Sequence, residues 1–229
     1  MAEPLPNPRL PWYNHVVLPS ISTETTSAAM PRGERRKQHT KRRLLDAAAA
    51  TYAEVGVDGA TIGAITEKAD VGLGTFYLHF EDKDAIALAV NAVITQRLLA
   101  DHERSCDSVR SVGGEPDLLA VFTQVLCARA AESPGLIAAL LRWTGPKQSG
   151  AQGSLHDGLR VHLERCYHLG VERSRYRIED PKHMAEAVFG IYAEVIPAWS
   201  ANGRLTAEGS GERLGAFVQR AVVAMCRVG

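Results

Sequence analysis

Two pairs of histidine and cysteine residues have the spacing that metal coordination on a helix requires. His102 and Cys106 are four residues apart, and so are His162 and Cys166. Side chains at i and i+4 lie on one helix face, and imidazole nitrogen and thiolate sulfur are ligands that zinc and copper accept. If the two helices meet, four ligands could converge on one ion. Chance pairing is the alternative that we prefer, because the chain holds eight histidines and four cysteines. We therefore predict no metal and no other cofactor.

The motifs of the common enzyme classes are missing from the sequence. Gly72-x-Gly74 lacks the third glycine of a dinucleotide-binding loop, because Tyr77 stands in its place. The chain also contains no G-x-S-x-G nucleophile elbow, no phosphate-binding G-x-x-x-x-G-K-[ST] loop and no H-E-x-x-H zinc motif. We therefore predict no catalytic residues and no enzyme activity.

A block of basic residues lies in a chain that is otherwise neutral. Residues 32 to 43 contain seven basic residues and one acidic residue, a net charge of +6, whereas the whole chain has 26 of each sign. A solvated charge run would be the better explanation for this block alone. The segment that follows it makes a phosphate-binding arm the preferred interpretation.

Residues 61 to 83 have the pattern of a helix-turn-helix. Ile62, Ile65 and Ala69 fall on one face of a short helix, and Thr61 precedes it as a candidate N-cap. Val71-Gly72 breaks the periodicity, and Gly72 can cap the next helix. Phe76 and Phe80 are four residues apart and should face the core. Two short helices joined by a tight turn can place the second helix in a DNA major groove.

This segment resembles the tetracycline-repressor (TetR) family of bacterial transcription regulators, whose pattern is approximately T-x-x-x-I-A-x-x-A-G-V-S-x-G-T-x-Y-x-H-F-x-x-K. The matching positions are Thr61, Ile65, Ala69, Val71, Gly74, Thr75, Tyr77, His79, Phe80 and Lys83. Thr66, Asp70 and Gly72 depart from the pattern, where Ala, Gly and Ser are usual. Aspartate tolerates the left-handed turn conformation, so the turn should survive. The missing serine hydroxyl removes one phosphate contact.

The resemblance implies an all-α repressor that binds operator DNA as a homodimer and is released by a small-molecule effector. A metal-responsive regulator that uses the His–Cys pairs is the alternative. By resemblance, the predicted DNA-binding residues are Arg35, Arg36, Lys37, Lys41, Thr61, Gly72, Leu73, Thr75, Tyr77, His79 and Lys83. Leu73 can contact a thymine methyl but cannot hydrogen-bond a guanine. For His79, a structural hydrogen bond within the fold is an equally weighted alternative.

Three segments are predicted along the chain. Residues 1–31 form a disordered arm, because they hold six of the eleven prolines; Met30 as the natural start is a second hypothesis. Residues 32–82 form the DNA-binding domain, with a first helix from Thr40 to Val55 that Gly56 ends and whose apolar stripe is Leu44, Ala48, Tyr52 and Val55. Residues 83–229 form a helical effector-binding and dimerisation domain, and Asp82 can cap its first helix. Within the last segment, helices are predicted over 116–131, 136–143, 155–171, 181–199 and from 206 or 208 to 228, with a loop over 144–153.

The effector pocket and the dimer interface are assigned to the second domain by resemblance. Large side chains with few charges nearby predict the pocket: Phe122, Trp143, Met184, Phe189, Tyr192 and Trp199. Glu194 is the polar candidate because it is surrounded by apolar residues, and an exposed helix edge is the alternative. The last two helices are predicted to form the homodimer. No secretory signal and no apolar run of about 18 residues is present, so we predict a cytoplasmic protein with no membrane partner.

Overall fold

The computed structural model of the protein describes residues 31–145, 155–173 and 180–204, together with Arg213, Ala216, Phe217 and Arg220. Within these residues the chain forms helices and no strand, so the predicted all-α class is confirmed. The elements are α1 (Arg32–Gly59), α2 (Ile62–Lys68), α3 (Leu73–Tyr77), α4 (Lys83–Ser111), α5 (Leu118–Glu132), α6 (Pro134–Arg142), α7 (Leu155–Glu172) and α8 (Pro181–Ala201). None of the described helices is long and apolar enough to cross a membrane.

The first helix begins earlier than the sequence predicted. α1 starts at Arg32 rather than at Thr40, so the basic block is helical and not an arm that precedes a helix. The Thr40 hydroxyl donates to the Arg36 carbonyl at 3.0 Å and therefore caps no helix start. Arg and Lys are good helix formers, and Pro31 occupies the N-cap directly before them. Gly56, at φ 77, breaks the helical geometry where the predicted helix ended.

The buried face of α1 largely follows the predicted stripe. Leu44, Ala48 and Tyr52 are fully buried. Val55 is 56% exposed, so its assignment to the stripe was wrong. The left-handed Gly56 that follows turns the chain, and Val57 fills the core position instead at 3% exposure.

Side-chain caps fix the starts of most later helices. Asp82 accepts from Ala85 N at 2.7 Å, as predicted, and starts α4. Asp117 accepts from Ala120 N at 3.1 Å, so α5 starts there and not at Pro116. Asp180 accepts from the backbone N–H groups of Lys182 and His183 at the start of α8. Ser133 precedes α6 without a side-chain cap bond. A cap provides a partner for one otherwise unpaired donor of the first helical turn.

One hydrophobic core extends through both predicted domains. It runs without interruption from Leu44 and Phe76 to Leu140, Tyr192 and Ile196. The closest junction is between α1 and α6. A Cβ added at Gly135 would lie 2.3 Å from the Ala53 carbonyl oxygen, so only glycine permits this approach. α4 packs on α5 and α7, while α8 packs on α6 and α7.

Several predictions fall on residues that the structure does not describe. The arm over residues 1–30 and the helix predicted over 206–228 lie outside the described residues, apart from four isolated positions in the latter. Most of the loop predicted over 144–153 also lies outside them. The dimer assigned to the last two helices therefore stays a prediction.

Candidate nucleic-acid interface

The short helix α3 presents large side chains to solvent. Leu73, Tyr77 and Leu78 are 53%, 54% and 77% exposed. Phe76 and Phe80 anchor the helix from below, at 0% and 6% exposure, as the sequence predicted. The Phe76 ring lies 5.4 Å from the Tyr77 ring in an edge arrangement and 5.8 Å from the Phe80 ring. Burial of two aromatic rings fixes a helix of five residues that could not hold its shape alone.

The helix-turn-helix has the predicted start and turn. The Thr61 hydroxyl accepts from Ala64 N at 3.1 Å and starts α2. Asp70 has φ 51. It therefore adopts the left-handed conformation that aspartate was expected to tolerate at this turn position, where glycine is usual. Gly72 occupies the N-cap of α3 without a side-chain bond. All three features are local, so the spacing of residue types was sufficient to predict them.

A contact across 27 residues holds the turn against α1. The Arg43 guanidinium donates to the Asp70 carbonyl at 2.9 Å and to its carboxylate at 3.0 Å. This contact was missed at the sequence level. The sequence held one indication of it, because an aspartate at a turn can accept from a cation through its carbonyl and its carboxylate oxygens. Residue spacing alone does not identify which basic residue supplies that cation. Since the Asp70 side chain is 98% exposed, the ion pair orients the turn more than it stabilises the fold.

The basic face of α1 lies beside the end of α3. The pKa of His79 is lowered, first by burial and then by the positive charges of Lys37 and Lys41. The Lys41 ammonium also lies 5.8 Å from the centre of the Phe80 ring. Two predicted phosphate-binding lysines on α1 therefore lie near His79 and Phe80, just after the end of α3. Arg42 and Arg43 are engaged by Asp46 and Asp70.

Lys83 has a partner that the sequence did not predict. Its ammonium donates to the carbonyl oxygens of Asp58 at 3.0 Å and Val57 at 3.3 Å, at the end of α1. The carbonyls at a helix C-terminus lack intrahelical partners, and a lysine satisfies them well. Lys83 therefore joins α4 to α1, and its predicted contact with a phosphate stays a prediction.

Comparison with known proteins finds a family match over the helix-turn-helix segment. Residues 44–90 match the family described as bacterial regulatory proteins, tetR family. The match spans the second half of α1, the helix-turn-helix and the first turns of α4. The HTH-type transcriptional repressor Rv1474c of Mycobacterium tuberculosis is 32% identical over 79 residues, which is 34% of this chain and 42% of that protein. The chain thus matches less than half the length of this curated TetR-type relative.

Solved structures share the fold over most of the chain. The fatty acid degradation regulator FadR from Bacillus halodurans is 20% identical, with a TM-score of 0.62, over 83% of this chain and 97% of that one. FadR from Bacillus subtilis, in complex with stearoyl-CoA, is 19% identical, with a TM-score of 0.64, over 80% and 97%. RolR, in complex with resorcinol, is 24% identical, with a TM-score of 0.56, over 85% and 91%.

The predicted effector residues divide by burial. Phe122, Trp143, Phe189 and Tyr192 are buried, whereas Met184 and Trp199 are half-buried. The Tyr192 hydroxyl pairs with the Thr123 hydroxyl at 2.5 Å, joining α8 to α5. The Trp199 ring stacks on Phe217 at 6.2 Å. These contacts place most of the predicted set in the interior of the helical fold.

Glu194 does not join the buried residues. Its side chain is exposed on α8 of the single chain, as the exposed-edge alternative expects, and its role as the polar group of the effector pocket stays a prediction. The apolar residues next to it in sequence lie on other faces of the same helix. A polar depression of about 350 Å³ between α4 and α5, lined by Asp101 and Arg129 among others, includes none of the predicted pocket residues.

The two His–Cys pairs meet in the interior, although not as four equivalent ligands. Ligand atoms of His102, His162 and Cys166 all lie within 4.8 Å of one another. Cys106 is left out of this group, because its sulfur lies 3.4 Å from the opposite ring nitrogen, His102 Nε2. Chance pairing of residue types in the sequence does not require the two pairs to meet in the structure. Of the four residues singled out, His102, His162 and Cys166 meet, and Cys106 does not join them.

Proposed function

We propose that this protein is a transcriptional repressor that binds operator DNA as a homodimer and is released by a small organic effector. The observation that carries the proposal is the α3 surface. Leu73 and Tyr77 project from a helix that buried aromatic rings anchor, and Lys37 and Lys41 stand beside it. Side chains on α3 would contact base edges, and the lysines would contact phosphates. Two copies would place their α3 helices about one DNA turn, roughly 34 Å, apart.

The proposed operator contact is tested by fluorescence anisotropy. Purified protein is titrated onto labelled DNA from upstream of its own gene and onto scrambled DNA of equal length, across a salt series. We expect tighter binding to the upstream DNA and loss of that preference in Tyr77→Ala. Val112→Ala is the matched control, because Val112 is 83% exposed but lies at the far end of α4. Equal, steeply salt-dependent binding to both DNAs would mean that only the basic face of α1 is bound.

The effector proposal rests on the buried aromatic residues between α5 and α8. Phe122, Phe189 and Tyr192 have apolar surfaces, and the Tyr192–Thr123 hydroxyl pair could accept a polar group. Solved neighbours carry stearoyl-CoA or resorcinol, so an organic molecule with an apolar part is the class to screen. Binding is detected as a rise in melting temperature. A true effector must also lower operator affinity, because release requires tighter binding to the DNA-free state.

The homodimer is proposed through α8 and the segment that follows it. Trp199 is half-buried and stacks on Phe217, which is itself 46% exposed. Light scattering after size exclusion gives the mass of the particle, and twice the chain mass is expected. Trp199→Glu should reduce the particle to a monomer. A monomeric wild-type protein at micromolar concentration would contradict this assignment.

A metal-responsive regulator is the second candidate function. The observation that favours it is the meeting of His102, His162 and Cys166 between α4 and α7. This candidate shares the operator-binding surface with the first and differs only in the class of effector.

A further inference from the structure

The hydrogen bonds around His102 define which nitrogen is available for a ligand. His102 Nε2 lies 2.9 Å from the Leu118 carbonyl oxygen. A carbonyl can only accept, so Nε2 carries the proton and Nδ1 is an unprotonated acceptor. His162 Nε2 lies 3.0 Å from that Nδ1, and Cys166 Sγ lies 3.5 Å from His162 Nε2. Three potential ligand atoms from α4 and α7 therefore face one point.

We propose that His102 Nδ1, His162 Nε2 and Cys166 Sγ form a binding site for a thiophilic metal ion of the zinc class. The spacings fit a tetrahedral ion. With Zn–N bonds of about 2.0–2.1 Å and a Zn–S bond of about 2.3 Å, the tetrahedral angle sets N···N at about 3.3 Å and N···S at about 3.6 Å. Two of the three distances here are 3.0 Å and 3.5 Å, and the third pair, His102 Nδ1 and Cys166 Sγ, lies within 4.8 Å. The ion would have to draw this third pair together by up to about 1 Å.

The surroundings of the site match those of bound metals. Metal-ligating histidines usually donate their second ring N–H to a carboxylate or a carbonyl, which fixes the tautomer. The Leu118 carbonyl does this for His102. The Phe122 ring lies 4.8 Å from the His162 ring and 5.5 Å from the His102 ring, and covers the site from α5. Such an apolar wall excludes water and strengthens the attraction between the ion and its ligands.

Three protein ligands leave one tetrahedral position of the ion open. Cys106 does not fill it in this arrangement, since its sulfur approaches His102 from the Nε2 side. A water molecule or an external donor would complete the coordination. This difference between two cysteines of similar burial, 3% and 2% exposed, provides an internal control.

Binding of the ion moves two protons. His162 Nε2 lies 3.0 Å from the unprotonated His102 Nδ1 and therefore carries a proton before the ion binds; that proton is replaced by one on Nδ1 of the same ring when the metal takes Nε2. The buried Cys166 sulfur carries its proton as a thiol. Binding of the divalent ion therefore replaces the S–H bond by a metal–sulfur bond and releases one proton to solvent. No electron transfer is involved.

The site can influence DNA binding through α4, a claim that rests on the proposed operator function. His102 lies nineteen residues after Lys83 on the same helix, a rise of roughly 29 Å. Lys83 joins the start of that helix to the end of α1. An ion that draws α4 and α7 together would therefore move the helix that carries the DNA-binding unit.

The binding site itself is tested without DNA. The full chain is treated with a chelator and a reductant, dialysed and titrated with Zn²⁺ in competition with a coloured chelator, and in parallel with Co²⁺. One ion per chain is expected, with the thiolate-to-cobalt absorption and the visible bands of tetrahedral cobalt. Uptake well below one ion per chain, or cobalt spectra without the thiolate absorption, would overturn the proposal.

Matched variants identify the ligands. Cys166→Ser and His162→Gln should each weaken zinc binding at least about 100-fold, because changes to groups that merely hydrogen-bond a metal ligand typically cost about 10–100-fold. Cys106→Ala and Cys127→Ala should bind zinc as the wild type does, because neither sulfur belongs to the set. Circular dichroism confirms that each variant is folded. Unchanged zinc affinity in folded Cys166→Ser, or its loss in Cys106→Ala, would overturn the assigned ligand set.

The regulatory claim is measured separately, as operator anisotropy with and without Zn²⁺. We expect operator affinity to change at least about tenfold in the wild type and to stay constant in Cys166→Ser. Zinc binding without any change in operator affinity would overturn the regulatory claim and leave the site as structural. Absence of operator binding in the metal-free and the zinc-loaded protein, with zinc still bound, would contradict the proposed function alone.

Discussion

The contact between α1 and α6 makes Gly135→Ala a sharp test of the fold. Helix propensity alone predicts that alanine stabilises α6 by up to about 1 kcal/mol. The structure predicts the opposite sign. The added Cβ would lie 2.3 Å from the Ala53 carbonyl oxygen, well inside the 3.0 Å below which such contacts essentially never fall. α6 would have to retreat from α1 by about 1 Å, because the overlapped atom is a backbone oxygen that cannot rotate away.

The steric cost should exceed the gain in propensity. Overpacking in a packed interior typically costs about 1–3 kcal/mol, so a net destabilisation of about 1–2 kcal/mol is expected. For a chain of this size the melting temperature should fall by about 2–8 °C, measured by circular dichroism at 222 nm. Gly190→Ala is the control, since an added Cβ there meets nothing within 4 Å; its melting temperature should hold or rise. If Gly135→Ala melts at or above the wild type, the α1–α6 contact is not as close as described.

Three further changes test the DNA-binding unit. In the described part of the chain the buried Tyr52 hydroxyl has no hydrogen-bond partner, so Tyr52→Phe should raise stability by about 1 kcal/mol, and a lower melting temperature would contradict this. Asp70→Gly should leave the free energy of unfolding in chemical denaturation nearly unchanged, whereas Asp70→Ala should lower it by about 1 kcal/mol, because only glycine adopts φ 51 freely. Equal losses in the two variants would show that the backbone conformation of residue 70 causes no strain. Replacing Lys37 and Lys41 together by alanine should lower the salt slope of DNA binding by about 1.8 per protomer, and an unchanged slope would exclude phosphate contacts.

Local features were predictable from the sequence because their physical causes are local. The Thr61 and Asp82 caps lie three residues from the N–H groups that they accept from. The left-handed Asp70 follows from the family pattern that it interrupts. Periodicity alone placed Phe76 and Phe80 in the core. In each case a few neighbouring residues contain all the atoms that decide the outcome.

The features that sequence reasoning missed depend on which elements meet. Arg43 finds Asp70 only because α1 crosses the turn. The i, i+4 spacing put each cysteine on the same helix face as its histidine, but the Leu118 carbonyl on α5 decides which His102 nitrogen is available. Glu194 could not be assigned from its apolar neighbours, because burial depends on the helices that pack against each face. α1 began early because nothing after Pro31 prevents helix formation.

The two hydrogen bonds of Lys83 have a consequence for protein engineering. A boundary drawn between residues 82 and 83 separates a cation from the two carbonyls that it satisfies at the end of α1. A chimera that joins residues 32–82 to the effector-binding domain of another regulator would leave those two carbonyls without their donor. Exchanging modules after the first turn of α4 would preserve the joint. The graft would then also need a glycine opposite Ala53, so the transplantable unit is defined by contacts rather than by the end of a motif.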